Sequence, residues 1–388
     1  MRLFKKFGQP LFFVVFLAKK TANMQIKDIV NYFEEIAPAS LQESYDNSGL
    51  LIGNYKTDIT GILITLDVTE EIIQEAVDLG ANLIVAHHPL IFSGLKRING
   101  NNYIEKTVIK AIKNDIAVYA AHTNLDNVIK TGVNTKICEK LGLKNIKILS
   151  PLKNRLNKIV VFVPETHTEK VRKSIFDAGA GVIGNYDSCS FNINGTGTFR
   201  AGNNTNPFVG KKGELHTENE VRIETVVPDF LTNKVISAIK NSHPYEEVAY
   251  DIYNLQNAWE QSGAGMIGKL PEPVDEMQFL KQIKNIFNTG VVKYTKLRNT
   301  PIKKVAVCGG AGSFLLKDAI SAGADIFITG DFKYHQFFDA ENRIIIADMG
   351  HFESEQFTKE LFYELLTRKF SNFAIHFTKV NTNPIKYL

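Results

Sequence analysis

His87 and His88 stand side by side directly after the apolar run Leu83–Ala86. At a strand end neighbouring side chains diverge, so the pair can serve two adjacent metal ions rather than one. Glu355 lies four residues after His351, a spacing that stacks both on one helix face as a chelating pair. Asp126 adds a carboxylate and His122 an imidazole after the run Ile116–Ala121. Imidazole mixed with carboxylate, without thiolate, suits zinc, manganese or iron in a hydrolytic site and disfavours a structural zinc. Two close ions that share an acid activate a water while polarising a substrate. His335, four residues past Asp331, reads equally as a proton shuttle at the same place and as a helix-surface residue.

Other segments carry weaker signals. Gly309-Gly310-Ala311-Gly312-Ser313 follows a strand-like run and opens a helix, so its amides offer a phosphate cradle. It has neither the Walker nor the dinucleotide spacing, and a tight turn explains it as well. Tyr45-Asp46-Asn47-Ser48-Gly49 is turn chemistry, with Asp46 a further candidate for the site. His243-Pro244-Tyr245-Glu246-Glu247 reads as the ordering of a helix-to-strand connection before it reads as a binding motif. His167 and His216 have no partners in spacing and take no role.

For the reactive groups to meet, buried strands must end together. In open parallel α/β sheets ligands collect beyond the carboxyl ends of the strands. Here Asp67 follows Ile62–Leu66, His87 and His88 follow Leu83–Ala86, and His122 and Asp126 follow Ile116–Ala121. Asp331 follows Ile326–Thr329, and Asp348 and His351 follow Ile344–Ala347. One such residue is ordinarily a helix cap. The same habit after every one of these strands defines a rim.

Ala76–Val85 aligns without gaps on Ala319–Ile328, sharing a Gly-Ala-Asn/Asp turn into a second buried strand. Helix followed by a short Val/Ile-rich run, repeated, predicts duplicated α/β modules with mainly parallel strands forming one metal-binding domain. Between them the order is strand (Ile159–Val163), helix (Glu169–Ala178), Gly/Asn-rich strands and loops, strand (Val221–Val226), helix (Phe230–Ser242) and strand (Val248–Tyr253). That is the split βαβ arrangement, a ferredoxin-like α+β insert. The expected division is an N-terminal extension at 1–23, a first half at 24–157, the insert at 158–255, and a linker with the second half at 256–388.

Residues 1–23 pair basic residues with the apolar run Pro10–Ala18, too short for the roughly 20 residues that span a bilayer. Lys20 spoils the cleavage site of a signal peptide, so this stretch reads as an extension upstream of a functional start at Met24. The whole chain has 388 residues, 44% hydrophobic and 22% charged, which excludes disordered and fibrous classes. A net charge of +4 gives no indication of nucleic acid as a partner. Cys138, Cys189 and Cys308 lie far apart, against a disulfide framework and in favour of a reducing cytoplasm.

Tyr45-Asp46-Asn47-Ser48-Gly49-Leu50, Leu66-Asp67-Val68-Thr69, Ala86-His87-His88-Pro89-Leu90-Ile91-Phe92 and Ala121-His122-Thr123-Asn124-Leu125-Asp126 occur in that order. Gly330-Asp331 with His335 and Gly350-His351-Phe352-Glu353-Ser354-Glu355 follow. Over about Met24 to Lys369, the sequence resembles the NIF-three-like family, catalogued as GTP cyclohydrolase I type 2 homologues. The insert looks like that of the longer bacterial members, and Tyr45 departs from the family's usual Trp. The resemblance implies two divalent ions per subunit (Zn, Mn or Fe) held by His87, His88, Asp126, His351 and Glu355, with Glu355 as the bridge. It also implies a toroidal homohexamer capped by inserts similar to PII/CutA modules.

Three functions are then in play. The first is a metal-dependent hydrolase that opens the guanine ring of a nucleotide, GTP, and releases formate, with His335 or His122 moving protons. The second is a metallo-phosphoesterase built on the same ions. The third is a non-catalytic metal-binding, interaction or regulatory protein that works through the insert.

Overall fold

The computed structural model describes residues 24–371 and 373–388, so the expected extension at 1–23 lies outside the described residues. The first half runs α1 (Ile26–Ile36), β1 (Gly49–Ile52), β2 (Ile62–Thr65), α2 (Glu70–Asp78), β3 (Leu83–Ala86), α3 (Tyr103–Lys113), β4 (Ala117–Ala120), α4 (Thr123–Asp126), α5 (Val133–Lys140) and β5 (Lys144–Leu152). The middle holds β6 (Leu156–Pro164), α6 (Thr168–Asp177), β7 (Phe191–Arg200), β8 (Leu215–Pro228), α7 (Thr232–Ser242) and β9 (Tyr250–Leu255). The second half holds β10 (Trp259–Val274), α8 (Glu276–Ile286), β11 (Lys293–Tyr294), β12 (Ile302–Ala311), α9 (Leu316–Ser321), β13 (Ile326–Gly330), β14 (Ile345–Asp348), α10 (His351–Glu355), α11 (Thr358–Lys369) and β15 (Ile375–Phe377).

One sheet has the order β1-β4-β3-β2-β15, with β4, β3, β2 and β15 parallel and β1 antiparallel at its edge. Every residue of β2, β3 and β4 is buried, because helices cover both faces. Leu63, Ile84 and Val118 face Ile72, Ala76 and Val108 of α2 and α3. The alternate residues Ile62, Ile64, Val85 and Tyr119 face Ile29 and Phe33 of α1 and Phe362 of α11. The other sheet, β11-β14-β13-β12-β10-β5, has a parallel centre, β12 to β14, flanked by antiparallel strands. Its Val305, Val307, Ile328 and Ile345 enter the same core as the first sheet, so the two modules fold together.

The two halves also exchange edges. β5, from the first half, pairs with β10 in the second sheet, and β15, the last strand of the chain, pairs with β2 in the first. A division at residue 157 does not anticipate this, because both edge strands are short or irregular and carry no periodicity that names their partner. The middle segment is an α+β unit: β7-β8-β6-β9, all antiparallel, with α6 and α7 packed on Ile159, Val161 and Ile223. The strand and helix order is the one that the sequence pattern predicts. Among the described residues no helix is long and apolar enough to cross a membrane.

Candidate metal centre

The carboxyl ends of β3 and β4 release His87, His88 and His122, α4 carries Asp126, and the end of β14 leads through Gly350 into α10, which starts at His351. Glu355 sits one turn later on α10, buried, with Oε2 3.1 Å from His351 Nε2. Its two oxygens face different partners. Oε2 lies 2.8 Å from His88 Nε2, whereas Oε1 lies 3.6 Å from His87 Nε2. Asp126 Oδ1 is 3.8 Å from the same His87 nitrogen. Donor atoms of His88, His351 and Glu355 form one compact group, and those of His87, Asp126 and Glu355 another, each within 4.8 Å. His122 joins His87 and His88 in a third such group.

Each imidazole is fixed from behind through Nδ1. His87 Nδ1 donates to Ala121 O at 2.9 Å, and His88 Nδ1 bonds Asp67 Oδ1 at 2.7 Å. His122 Nδ1 bonds Asp46 Oδ1 at 2.8 Å, and His351 Nδ1 bonds Asp331 Oδ2 at 2.7 Å. An oxygen on Nδ1 leaves Nε2 as the ligand nitrogen and orients the ring, as in carboxylate–histidine–metal arrangements. Asp46, Asp67 and Asp331 are therefore orienting groups, a role that rim position alone does not assign. Asp348 is different: it is buried and accepts the amides of Phe332 and Gly350, so it shapes the turn into α10.

Two observations show that a cation fits. His87 Nε2 and Asp126 Oδ1 are buried polar atoms without a hydrogen-bond partner, a costly arrangement unless something else binds them. The electrostatics of these side chains agree. Burial works against charge on Glu355, yet His87, His88 and His351 hold its carboxyl well below the usual range. Burial also opposes charge on His88 and His351, but Glu355 and the Asp67 or Asp331 carboxylate push them up to about 10 and about 11. Burial and then Glu355 raise Asp126 to about 8. The protein alone collects protons where a divalent ion would supply the positive charge, so metal uptake releases protons.

The glycine loop is not a phosphate cradle. The amides of Gly309, Gly310 and Gly312 donate to Asn134 Oδ1, Ser354 Oγ and Thr329 Oγ1, each at 2.9 Å. β12 runs on through Ala311, and a Cβ on Gly310 (φ +63°) would come within 2.4 Å of Glu355 Oε1. Its glycine makes room for the shared carboxylate. His335 also lies elsewhere. Asp331 has φ +57° and the helical turns begin only at Tyr334, so the two do not share a helix face. His335 is exposed, its ring 5.1 Å from Tyr334 and 6.4 Å from Phe338, away from the cleft. In the insert, His243 Nε2 donates to Phe162 O and Nδ1 accepts the amide of Tyr245, which orders the connection.

The ligand set lies in a cleft of about 490 Å³. Tyr45 and Phe92 stack at its mouth with centroids 6.1 Å apart, and Phe92 meets His122 edge-on at 6.0 Å. Asn383, Pro384 and Ile385 from the end of the chain form another wall, which no local sequence signal marks.

A family model described as Duf34/NIF3 (NGG1p interacting factor 3) matches residues 24–384. A Halalkalibacterium halodurans protein named GTP cyclohydrolase 1 type 2 homolog is 44% identical over 95% of this chain and 100% of its own. A Bacillus subtilis protein of the same name is 37% identical over 95% and 100%. The crystal structure of a Bacillus cereus protein related to NIF3 superposes with a TM-score of 0.81 at 42% identity, covering 94% of this chain and 99% of that one.

Proposed function

The chain belongs to the Duf34/NIF3 family, and on that premise we propose that it is a dinuclear metal hydrolase that opens the guanine ring of GTP and releases C8 as formate. The observation that carries the metal reading is Glu355, whose Oε1 is turned to His87 and whose Oε2 is turned to His88 and His351. One divalent ion would be held by His87, Asp126 and Glu355, the other by His88, His351 and Glu355. When bound, such a pair acts as a Lewis acid and brings the pKa of water from 15.7 to about 7.

The protein's own groups do the rest. Stacked Tyr45 and Phe92 at the mouth offer a face to a planar heterocycle, and this favours a ring substrate over a simple phosphoester. The occupied amides of Gly309, Gly310 and Gly312 also count against the phosphoesterase reading. His122, held at Nδ1 by Asp46, has Nε2 free to take up a proton from the attacking water and pass it to the departing ring nitrogen. A toroidal homohexamer is part of the same proposal. Phe191, Ile193 and Leu215 on the β7–β8 hairpin of the insert are exposed, and a neighbouring subunit would cover them. The non-catalytic reading draws support from that same apolar surface.

Formate release from GTP by the metal-loaded protein, the His88→Ala variant and a chelated control tests the chemistry. Metal-dependent release lost in His88→Ala is the expected result. Equal rates in all three, or none with zinc, manganese or iron, would overturn the ring-opening reading, and turnover of a phosphoester panel instead would install the second function.

A further inference from the structure

Beyond β15 the chain leaves the first sheet, crosses the mouth of the metal cleft and ends against the opposite half. Thr378 donates its amide to Ile64 O at 3.0 Å and its hydroxyl to Glu75, and Lys379 N donates to Glu75 Oε1 at 2.7 Å. Next, Thr382 Oγ1 donates to Asp67 Oδ2 at 2.6 Å, and Asn383 Nδ2 donates to Glu353 Oε1 at 3.0 Å. Tyr387 finally lies on Gly290, where an added Cβ would come within 2.7 Å of its ring.

One central contact reaches the anchor of a proposed ligand, the other the helix that carries two of them. Asp67 gives Oδ1 to His88 Nδ1 and Oδ2 to Thr382, so the threonine hydroxyl fixes the carboxylate that aims His88. Glu353 is only 7% exposed and lies on α10 between His351 and Glu355. Loss of Asn383 would withdraw a donor from a buried carboxylate. The segment is also stiffened internally: Asn381 Oδ1 accepts Asn383 N, and Asn383 Oδ1 accepts Ile385 N, both at 3.0 Å. These successive Asx turns lower the entropy that ordering it would otherwise cost.

We propose that Thr382 and Asn383 are positioning residues of the metal centre, by which the segment 381–385 clasps the first-half ligand His88 to the second-half ligands His351 and Glu355. This rests on the metal reading above and extends it to the affinity of the site. Removing a ligand's own orienting partner typically weakens a metal site about 10- to 100-fold. Thr382 acts one bond further out, through Asp67, and Asn383 through Glu353 on the helix that carries His351 and Glu355, so the loss should be smaller.

The test uses the full-length protein, stripped of metal and reloaded with Co²⁺. Competition with a chromophoric chelator gives affinity, and ligand-field absorption gives the geometry at the ion. Thr382→Val keeps the side chain's volume and removes the hydroxyl. It should weaken Co²⁺ binding severalfold, below the about 10- to 100-fold of a direct anchor, and change the absorption, while Thr382→Ser should restore both. Asn383→Leu should act in the same direction. Thermal melting identifies variants that are folded, so a point variant carries the test if a chain stopped at residue 380 unfolds. Folded Thr382→Val with unchanged affinity and spectrum would overturn the clasp but leave the metal centre standing. Serine failing to rescue would also overturn it. A full-length chain that takes up no Co²⁺ would defeat the clasp together with the metal reading.

Discussion

Two of the cavities among the described residues invite comparison, about 490 Å³ at the metal cleft and about 580 Å³ in the insert. Both have aromatic walls: Tyr45 and Phe92 in the first, Phe199, Phe208 and Tyr245 in the second. They differ in what the polar atoms do. In the insert Arg222 pairs with Glu224 at 2.8 Å and Glu246 accepts the amide of Asn206 at 2.8 Å, and although Arg222 Nε is itself without a hydrogen-bond partner, no second donor among the described residues converges on it there. In the cleft four imidazoles are each anchored at Nδ1, while His87 Nε2 and Asp126 Oδ1 are left without a partner. Volume and aromatic lining therefore do not distinguish a reactive site from a surface hollow. Convergent donors with oriented support behind them do.

The largest expected break in that contrast is Glu355→Gln. Because one carboxylate faces both ligand groups, its loss should remove most of the bound metal, as read by elemental analysis. Two full equivalents in this variant would refute the shared-carboxylate assignment. Asp67→Asn spares every proposed ligand and removes the charge that anchors His88 and accepts from Thr382. A weakening of about 10- to 100-fold is expected in chelator competition, and wild-type affinity would mean that the anchors are ornamental.

A smaller effect is expected in the insert as pH falls. Burial is the main influence on His243 and holds its pKa below the ordinary 6.5, with the bond to Phe162 O opposing it. The unfolded chain therefore takes up the proton first. Stability linked to this group should be intact above pH 6.5 and be lost as pH falls from there through the depressed folded value. Trp259, the single tryptophan, packs beside Phe230 at the base of the insert and can report melting by fluorescence. The same pH slope in His243→Gln would show that another group is responsible. The smallest effect should come from excising the insert. All five proposed ligands lie outside 158–255, so a protein with a short linker in its place should retain two equivalents of metal. Failure of that protein to fold or bind metal would show that the insert is integral to the core.

Sequence made the candidate ligands legible wherever chemistry and spacing coincide. His351 and Glu355 meet because four residues make one helical turn, and His87 and His88 because a buried strand ends just before them. The orienting carboxylates were harder, since Asp46 reaches His122 and Asp331 reaches His351 from separate segments, and only the folded chain supplies that proximity. His335 shows the opposite error: a four-residue spacing has no meaning when the left-handed backbone of Asp331 and an extended Lys333 come before the helical turn. The glycine-rich loop misleads in another way. Its composition fits a phosphate cradle, but at Gly310 glycine is required by the carboxylate pressed against it.

The exchanged edge strands have a consequence for how the molecule is made. Among the described strands β15 is the last to leave the ribosome, yet it covers the edge of β2, one of the first to emerge. Until then a strand destined for full burial has an unpaired border, the kind of edge that recruits other chains. Contacts between sequence-distant strands also form slowly. A nascent chain can thus present His87 and His88 long before His351 and Glu355 exist to complete their set. A product truncated ahead of His351 carries only half of the proposed ligand set, and one truncated between Glu355 and Ile375 keeps that set but leaves the border of β2 unpaired.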